Sequence, residues 1–185
     1  MHTSIEHDRS ELFRLLKTQA FSKGKFILSS GKESSFYLDA RLVTLSAPGA
    51  YLTARVILDM IKDQKVEAIG GPTLGADPMV GAIASLSYQE GCPLNTFIIR
   101  KQPKAHGKQQ QIEGPLLKET GSVIIIDDVA TTGKAFVESI EVLQKLNIKI
   151  AQAICIIDRG EGAQEALAKY NVPLKSIFTI AEFLQ

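Results

Sequence analysis

Short apolar runs alternate along this chain with longer amphipathic stretches, and that rhythm predicts its elements. Between Ser10 and Ala20, Leu12, Leu15, Leu16 and Gln19 fall at helical spacing with Phe13 beside them, which predicts a helix packed on the body. The residues ahead of it, Met1 to Asp8, are polar and predicted to be irregular. Two β-prone runs follow, Lys25-Phe26-Ile27-Leu28 and Phe36-Tyr37-Leu38-Asp39. The turn-rich stretch Ser29 to Ser35 joins them, predicting a hairpin or flap. Beyond Pro48 the pattern becomes regular. Helices are predicted over 50–61, 76–88, 134–146 and 163–170, and strands over 66–69, 94–99, 122–126, 150–157 and 174–178. Gly70-Gly71-Pro72 is expected to break the first of these strands. The strands are apolar throughout rather than alternating, as strands covered on both faces are. Their alternation with helices predicts an α/β fold: a parallel sheet flanked by helices, with right-handed crossovers. Ligands of such sheets bind beyond the carboxyl ends of the strands. The loops after Ile69, Ile99, Ile126 and Ile157 are therefore where chemistry is expected.

Composition narrows the class. The 185 residues suit a single domain, and 45% hydrophobic with 22% charged residues is enough for a core. Lys and Arg number 21 against 20 Asp and Glu, so a broadly basic nucleic-acid binder is not expected. No apolar run reaches the roughly 18 residues of a membrane span, and no apolar stretch opens the chain as an export signal would. Cys92 and Cys155 are isolated, with no CxxC and no disulfide framework. A cytoplasmic chain with no membrane and no nucleic-acid partner is expected.

The strongest strand, Val123-Ile124-Ile125-Ile126, runs into Asp127-Asp128-Val129-Ala130-Thr131-Thr132-Gly133-Lys134 and then a helix. A helix start offers free N–H groups and the positive end of a dipole, which suits a phosphate. Thr131 and Thr132 add hydroxyl donors, and Gly133 would let backbone approach the ligand. Two acids aimed at that phosphate would repel it. They suit sugar hydroxyls or a nearby magnesium ion better. A Walker A loop is excluded, because Ala135 follows Gly133-Lys134 and position 128 is Asp rather than Gly. A receiver-type phospho-acceptor would not need the threonine–glycine cradle. Simple capping would need only one acid.

A second segment, Arg100-Lys101-Gln102-Pro103-Lys104-Ala105-His106-Gly107-Lys108, follows a strand, and no acid lies between Glu90 and Glu113. Without apolar periodicity, a mobile cationic loop that orders over an anionic ligand is expected. A solvated charge run, or a contact to RNA phosphates, is the plainer reading. The lack of interleaved aromatics weakens the RNA version.

The segment Val123 to Ala135 resembles the signature with which type I phosphoribosyltransferases bind phosphoribosyl pyrophosphate (PRPP). The resemblance implies that Asp127 and Asp128 contact the ribose 2- and 3-hydroxyls. Ala130, Thr131, Thr132, Gly133 and Lys134, flanked by Val129 and Ala135, would cradle the 5-phosphate. Within that family the basic segment is similar to the catalytic loop of the orotate-using enzymes. Arg100, Lys101, Lys104 and His106 would then hold the pyrophosphate, from a loop that reaches across a homodimer into a shared site. Phe26 to Asp39 resembles their N-terminal flap, or hood. Phe36 and Tyr37 would lie against the pyrimidine, and Lys25 would take the role of a flap lysine, since Ser22 stands at the usual place. Asp158-Arg159-Gly160-Glu161-Gly162 resembles the segment whose arginine meets orotate's carboxylate, with Thr131 also at the base. The plainer role for Arg159 is an internal pair with Asp158 or Glu161. Gly70 to Asp77 resembles a pyrophosphate-touching loop in which some members carry lysine where Gly75 stands, and Asp77 could instead cap a helix. Residues 1–45 would form the N-terminal helix and flap, and 46–185 the PRPP-binding core. The implied activity joins PRPP and orotate with Mg2+ as cofactor, held mainly by PRPP near Asp127 and Asp128. A transferase for a purine base, or an RNA-binding relative that keeps the PRPP pocket, are the alternatives.

Overall fold

The computed structural model describes residues 4–27, 33–102, 111–115, 117 and 121–185. Helix α1 (Ile5–Leu15) starts earlier than its apolar pattern predicts, because the Ser4 hydroxyl accepts the His7 N–H and so caps it. The polar lead-in is helical, and Asp8 within it is buried against Arg55. A single π-helical turn, Leu16–Ala20, carries the chain into β1 (Phe21–Ile27), which pairs antiparallel with β2 (Glu33–Leu38). The predicted hairpin is present, with longer strands than expected and a register shift between Lys23 and Phe26. It forms its own two-stranded sheet.

Two helices then lead into the main sheet. Helix α2 (Arg41–Thr44) is only four residues long, and α3 (Ala47–Ile61) is capped by the Ser46 hydroxyl with Pro48 in its first turn. Next come β3 (Ala68–Pro72), α4 (Asp77–Gln89), β4 (Asn95–Ile99), β5 (Ile112–Glu113), β6 (Ser122–Ala130), α5 (Lys134–Lys145), β7 (Lys149–Asp158), α6 (Ala163–Ala168), β8 (Leu174–Thr179) and α7 (Ile180–Leu184). The six strands lie in the order β5-β4-β3-β6-β7-β8. All are parallel except β5, which runs antiparallel to β4.

The double-sided apolar pattern has a direct cause. Along β6, Ile124 and Ile126 face a core built with α1, α3, α4 and α7, while Val123 and Ile125 face a second core under α5 and α6. All four are fully buried, each worth about 1.5–3 kcal/mol over exposure. Gly70 and Gly71 do not break β3. The strand runs through them because their neighbours leave no room for side chains: a Cβ on Gly70 would collide with the Phe97 carbonyl oxygen, and one on Gly71 with that of Ile126.

The topology also places the site. From β3 the chain moves outward to β4, then returns to the other side of β3 as β6. Pairing between β3 and β6 extends only from Ala68↔Val123 to Gly70↔Ile125, while β6 continues to Ala130 along β7. The ladder ends at Gly70, with Gly71 still packed on Ile126, and the strand order reverses at this point, which is where ligands of such sheets bind.

Candidate active site

Asp127 and Asp128 stand at this fork in the strand order. The sequence pattern places them at a strand end, but β6 carries them inside the strand, with Asp127 opposite Cys155 of β7. The Asp127 carboxylate accepts the Asp128 N–H at 2.9 Å, and the Asp128 carboxylate accepts the Val129 N–H at 2.8 Å. Burial holds Asp127 well above the usual carboxylate range, and the neighbouring charge of Asp128 adds to the effect. No lysine or arginine pairs with either acid among the described residues. Cys155 is likewise pushed far up by burial, so a thiolate nucleophile is absent from this strand.

The loop after β3 lies directly on the acids. A Cβ at Gly75 would collide with Asp127 Oδ1 and come within 2.7 Å of Asp128 Oδ1. Asp77 does not cap α4 with its side chain, contrary to one expectation. Its Oδ2 accepts the Thr73 hydroxyl at 2.7 Å, tying the two ends of this loop together.

After β6 the chain turns at Gly133, which has φ of 80° and no side-chain cap. The turn demands glycine twice over, by its left-handed backbone and because a Cβ would press on Leu167 and Ala163 of α6. Its role is therefore to seat α5 on α6 as well as to open the loop toward a ligand. The first N–H groups of α5 are left without intrahelical acceptors, as at any helix start. Thr131 is half-buried and Thr132 exposed. Val129 and Ala135 flank the loop half-buried, and Ala130 is buried. Lys134 is exposed and reaches Glu138 at 3.8 Å.

Of the predicted pyrophosphate cations, Arg100 and Lys101 are exposed at the end of β4, while Lys104 and His106 lie outside the described residues. Arg100 pairs with Glu113 of β5 at 3.2 Å, and its N–H donates to the Gln111 carbonyl. A cavity of about 400 Å³ joins Thr73, Arg100, Lys101, Asp127, Ala135 and Ser139, so the start of the basic segment and Asp127 share one space.

A second cavity, of about 380 Å³, lies under the hairpin among Ser34, Ser35, Phe36, Thr132, Arg159 and Glu161. The Arg159 guanidinium stacks 4.9 Å from the Phe36 ring centre and pairs with Glu161 at 2.7 Å. The internal acid expected for Arg159 is thus Glu161, and the hairpin aromatic Phe36 lies on the guanidinium as well. The structure separates Phe36 from Tyr37, however. Neighbours on a strand face opposite ways, so Tyr37 turns out to pack on Phe26 at 5.7 Å and does not line the cavity. Thr132 lines it in place of the expected Thr131. Lys25 is exposed in the irregular part of β1 and is not among the lining residues. The Arg159–Glu161 pair is the internal one expected for Arg159, whereas the Thr73–Asp77 and Arg100–Glu113 ties were not expected. Both are side-chain pairings that composition and periodicity do not reveal.

A sheet with this order, an acid pair in its fork, an open helix start beyond it and a hairpin over an arginine make up the architecture of the type I phosphoribosyltransferases. Residues 49–184 match the family model described as the phosphoribosyl transferase domain. An orotate phosphoribosyltransferase of Synechocystis sp. is 40% identical over 96% of this chain and 89% of its own length. A crystal structure of the Mycobacterium tuberculosis orotate phosphoribosyltransferase in complex with Fe(III) dicitrate superposes with a TM-score of 0.84, at 32% identity over 95% of this chain and 98% of that one. A crystal structure of that enzyme in complex with PRPP gives 0.80, at 28% identity over 96% and 99%. The chain belongs to the orotate phosphoribosyltransferase family. Among the described residues no helix is long and apolar enough to cross a membrane.

Proposed function

We propose that the chain transfers the 5-phosphoribosyl group of PRPP to orotate, giving orotidine 5-phosphate and pyrophosphate, in pyrimidine nucleotide synthesis. One observation carries the reading: the segment from Asp127 to Ala135 borders both cavities, through Asp127 and Ala135 on one and Thr132 on the other. It opens α5 on one side, while Thr132 lines the Arg159 cavity on the other and the Ala130 carbonyl accepts the Arg159 N–H at 2.9 Å. A sugar phosphate seated on the loop has its anomeric carbon between the acid fork and the arginine cavity.

In this reading the 5-phosphate takes the N–H groups at the start of α5 and the hydroxyls of Thr131 and Thr132. Asp127 and Asp128 accept hydrogen bonds from the ribose 2- and 3-hydroxyls. That contact favours the ionised form of Asp127 and offsets the effect of its burial. Arg159 takes the orotate carboxylate with its planar fork, and Phe36 fixes the guanidinium plane. The chain needs no covalent nucleophile, because the orotate ring nitrogen attacks as an anion. Arg100 and Lys101, joined by Lys104 and His106, neutralise charge that develops on the departing pyrophosphate. The neighbouring carboxylates of Asp127 and Asp128, one of them destabilised by burial, suit a nearby divalent cation. Magnesium held mainly by PRPP, with these acids nearest, would supply further charge neutralisation on the pyrophosphate.

We also propose a cytoplasmic homodimer with shared sites. Exposed Leu42, Leu45, Tyr51 and Leu74, on α2, its exit, α3 and the loop before α4, support a partner surface beside the fork. The free cysteines support a reducing compartment. The test is loss of orotate absorbance with PRPP and magnesium present. Turnover that stops when either is withheld, and that falls away when uracil replaces orotate, is expected. Turnover of adenine or guanine without turnover of orotate would overturn the reading.

A further inference from the structure

Arg159 is held firmly but is only half used. Its side chain is 11% exposed and stacked on Phe36, and its main-chain N–H donates to the Ala130 carbonyl. Nη2 forms an ion pair with Glu161 Oε1 at 2.7 Å. Nε is buried and has no hydrogen-bond partner among the described residues. A guanidinium offers Nε and an Nη side by side, and a planar carboxylate can take both at once. Glu161 takes one terminal nitrogen and leaves a buried donor unpaired, which is unfavourable.

The two partners differ in how freely they can move. Glu161 is 42% exposed and sits between Gly160 and Gly162, both in left-handed conformation at φ 67° and 104°. Arg159 is its one ion-pair partner among the described residues. Asp158, the other acid of the segment, is turned away to accept the Gly160 N–H at 2.8 Å. Glu161 can swing into solvent, while Arg159 is fixed.

We propose that Glu161 is an internal competitor for the base carboxylate. It holds Arg159 while the cavity is empty. The carboxylate of the entering base displaces it and takes Nε together with the terminal nitrogen. The exchange removes the unpaired donor and releases Glu161 to water. A base without a carboxylate cannot drive it and leaves the Arg159–Glu161 pair in place. Glu161 thereby sets the affinity of the cavity for carboxylate-bearing bases. This inference rests on the proposed orotate chemistry and adds to it a residue that tunes specificity.

The test uses Glu161→Gln and Glu161→Ala in the full chain, with calorimetric binding of orotate and of uracil beside the steady-state KM for orotate. Relief of the competition should tighten orotate about three- to tenfold in both variants. Uracil binding should not change, a selectivity that a general loosening of the loop would not produce. Weaker orotate binding in both variants would make Glu161 a support for Arg159 and overturn the proposal. Unchanged orotate binding, or equal tightening of uracil, would overturn it as well. Failure of the underlying function appears separately: the wild-type chain would neither bind nor turn over orotate before any variant is made.

Discussion

Two clusters of charged side chains sit at opposite ends of the main sheet, and they are built on opposite plans. Near the amino ends of the strands, Arg55 bridges Asp8 on α1 and Glu90 after α4, at 3.0 and 3.1 Å. Asp8 is only 1% exposed, yet its charge is answered within the protein. At the carboxyl ends, Asp127 is buried beside Asp128, and no cation of the described residues pairs with them. The first cluster closes on itself and fastens α1 to α3. The second makes no ion pair: burial raises Asp127, and Arg41, itself paired with Asp39, feels the Asp128 charge only at longer range. A folded chain that leaves carboxylates without an ion pair on a crevice wall is prepared for a ligand; one that pairs them is holding itself together.

The sharpest way to break this comparison is at Arg55. Arg55→Met removes the cation that answers a buried carboxylate, and urea unfolding should show a loss of about 3–5 kcal/mol. The KM for PRPP should stay within twofold of wild type. A variant that unfolds like wild type, or that loses PRPP affinity while folded, would erase the distinction. Asp128→Asn tests the other end. It should lower kcat/KM for PRPP by about 10- to 100-fold, the worth of a hydrogen bond to a charged group, with no loss of thermal stability.

Asp127→Asn sharpens the contrast through pH. The folded chain binds the Asp127 proton more tightly than the unfolded chain, whose value is about 3.9. Wild-type stability from this group is therefore fully present below about pH 4 and is lost as pH rises through the folded value. Asparagine suffers no such loss. The variant should melt higher than wild type by about 2–4 °C at pH 8, with the gain vanishing toward pH 4. A gain that is the same at both pH values would mean that ionisation is not its cause. The smallest effect separates two neighbours on β2. Phe36→Leu removes the ring beneath Arg159 and should raise the KM for orotate about three- to tenfold, whereas Tyr37→Leu should leave it within twofold. Equal effects would show that the strand does not sort the pair by face.

Much of this fold was legible in the order of residues. The continuous apolar runs of β6 and β7 announced strands covered on both faces, and the two cores on either side of the sheet are the reason. Elements of two to five residues, β5, α2 and α7, carry too few positions for a period to register. The start of α1 was hidden because its signals are a serine cap and a buried ion pair rather than an apolar stripe. At the site, the acid pair, the threonine–glycine loop and Arg159 stood out by residue type and by resemblance. Most side-chain partners at the site did not. Glu113 on Arg100 and Asp77 on Thr73 are side-chain choices made in three dimensions, and for Arg159 the sequence named two acids, of which Glu161 is the one that pairs. The split between Phe36 and Tyr37 could have been foreseen, since a strand period of two forbids both rings from facing one base. Lys104 and His106, outside the described residues, rest on resemblance alone.

The end of the β3–β6 ladder at Gly70↔Ile125 has one more consequence. The floor of the site, where glycines of β3 and its exit loop pack on Ile126 and Asp127, is set by main-chain approach, so its depth is a property of the backbone. Swapping residues along the walls can retune charge and contacts but leaves that floor where it is. An engineer wanting this chain to accept a bulkier sugar would have to move that backbone, an insertion or deletion problem and not a substitution problem. The base cavity is bounded by a hairpin that forms a sheet of its own, and it carries no such restriction. New base specificity should therefore be far easier to select for than new sugar specificity.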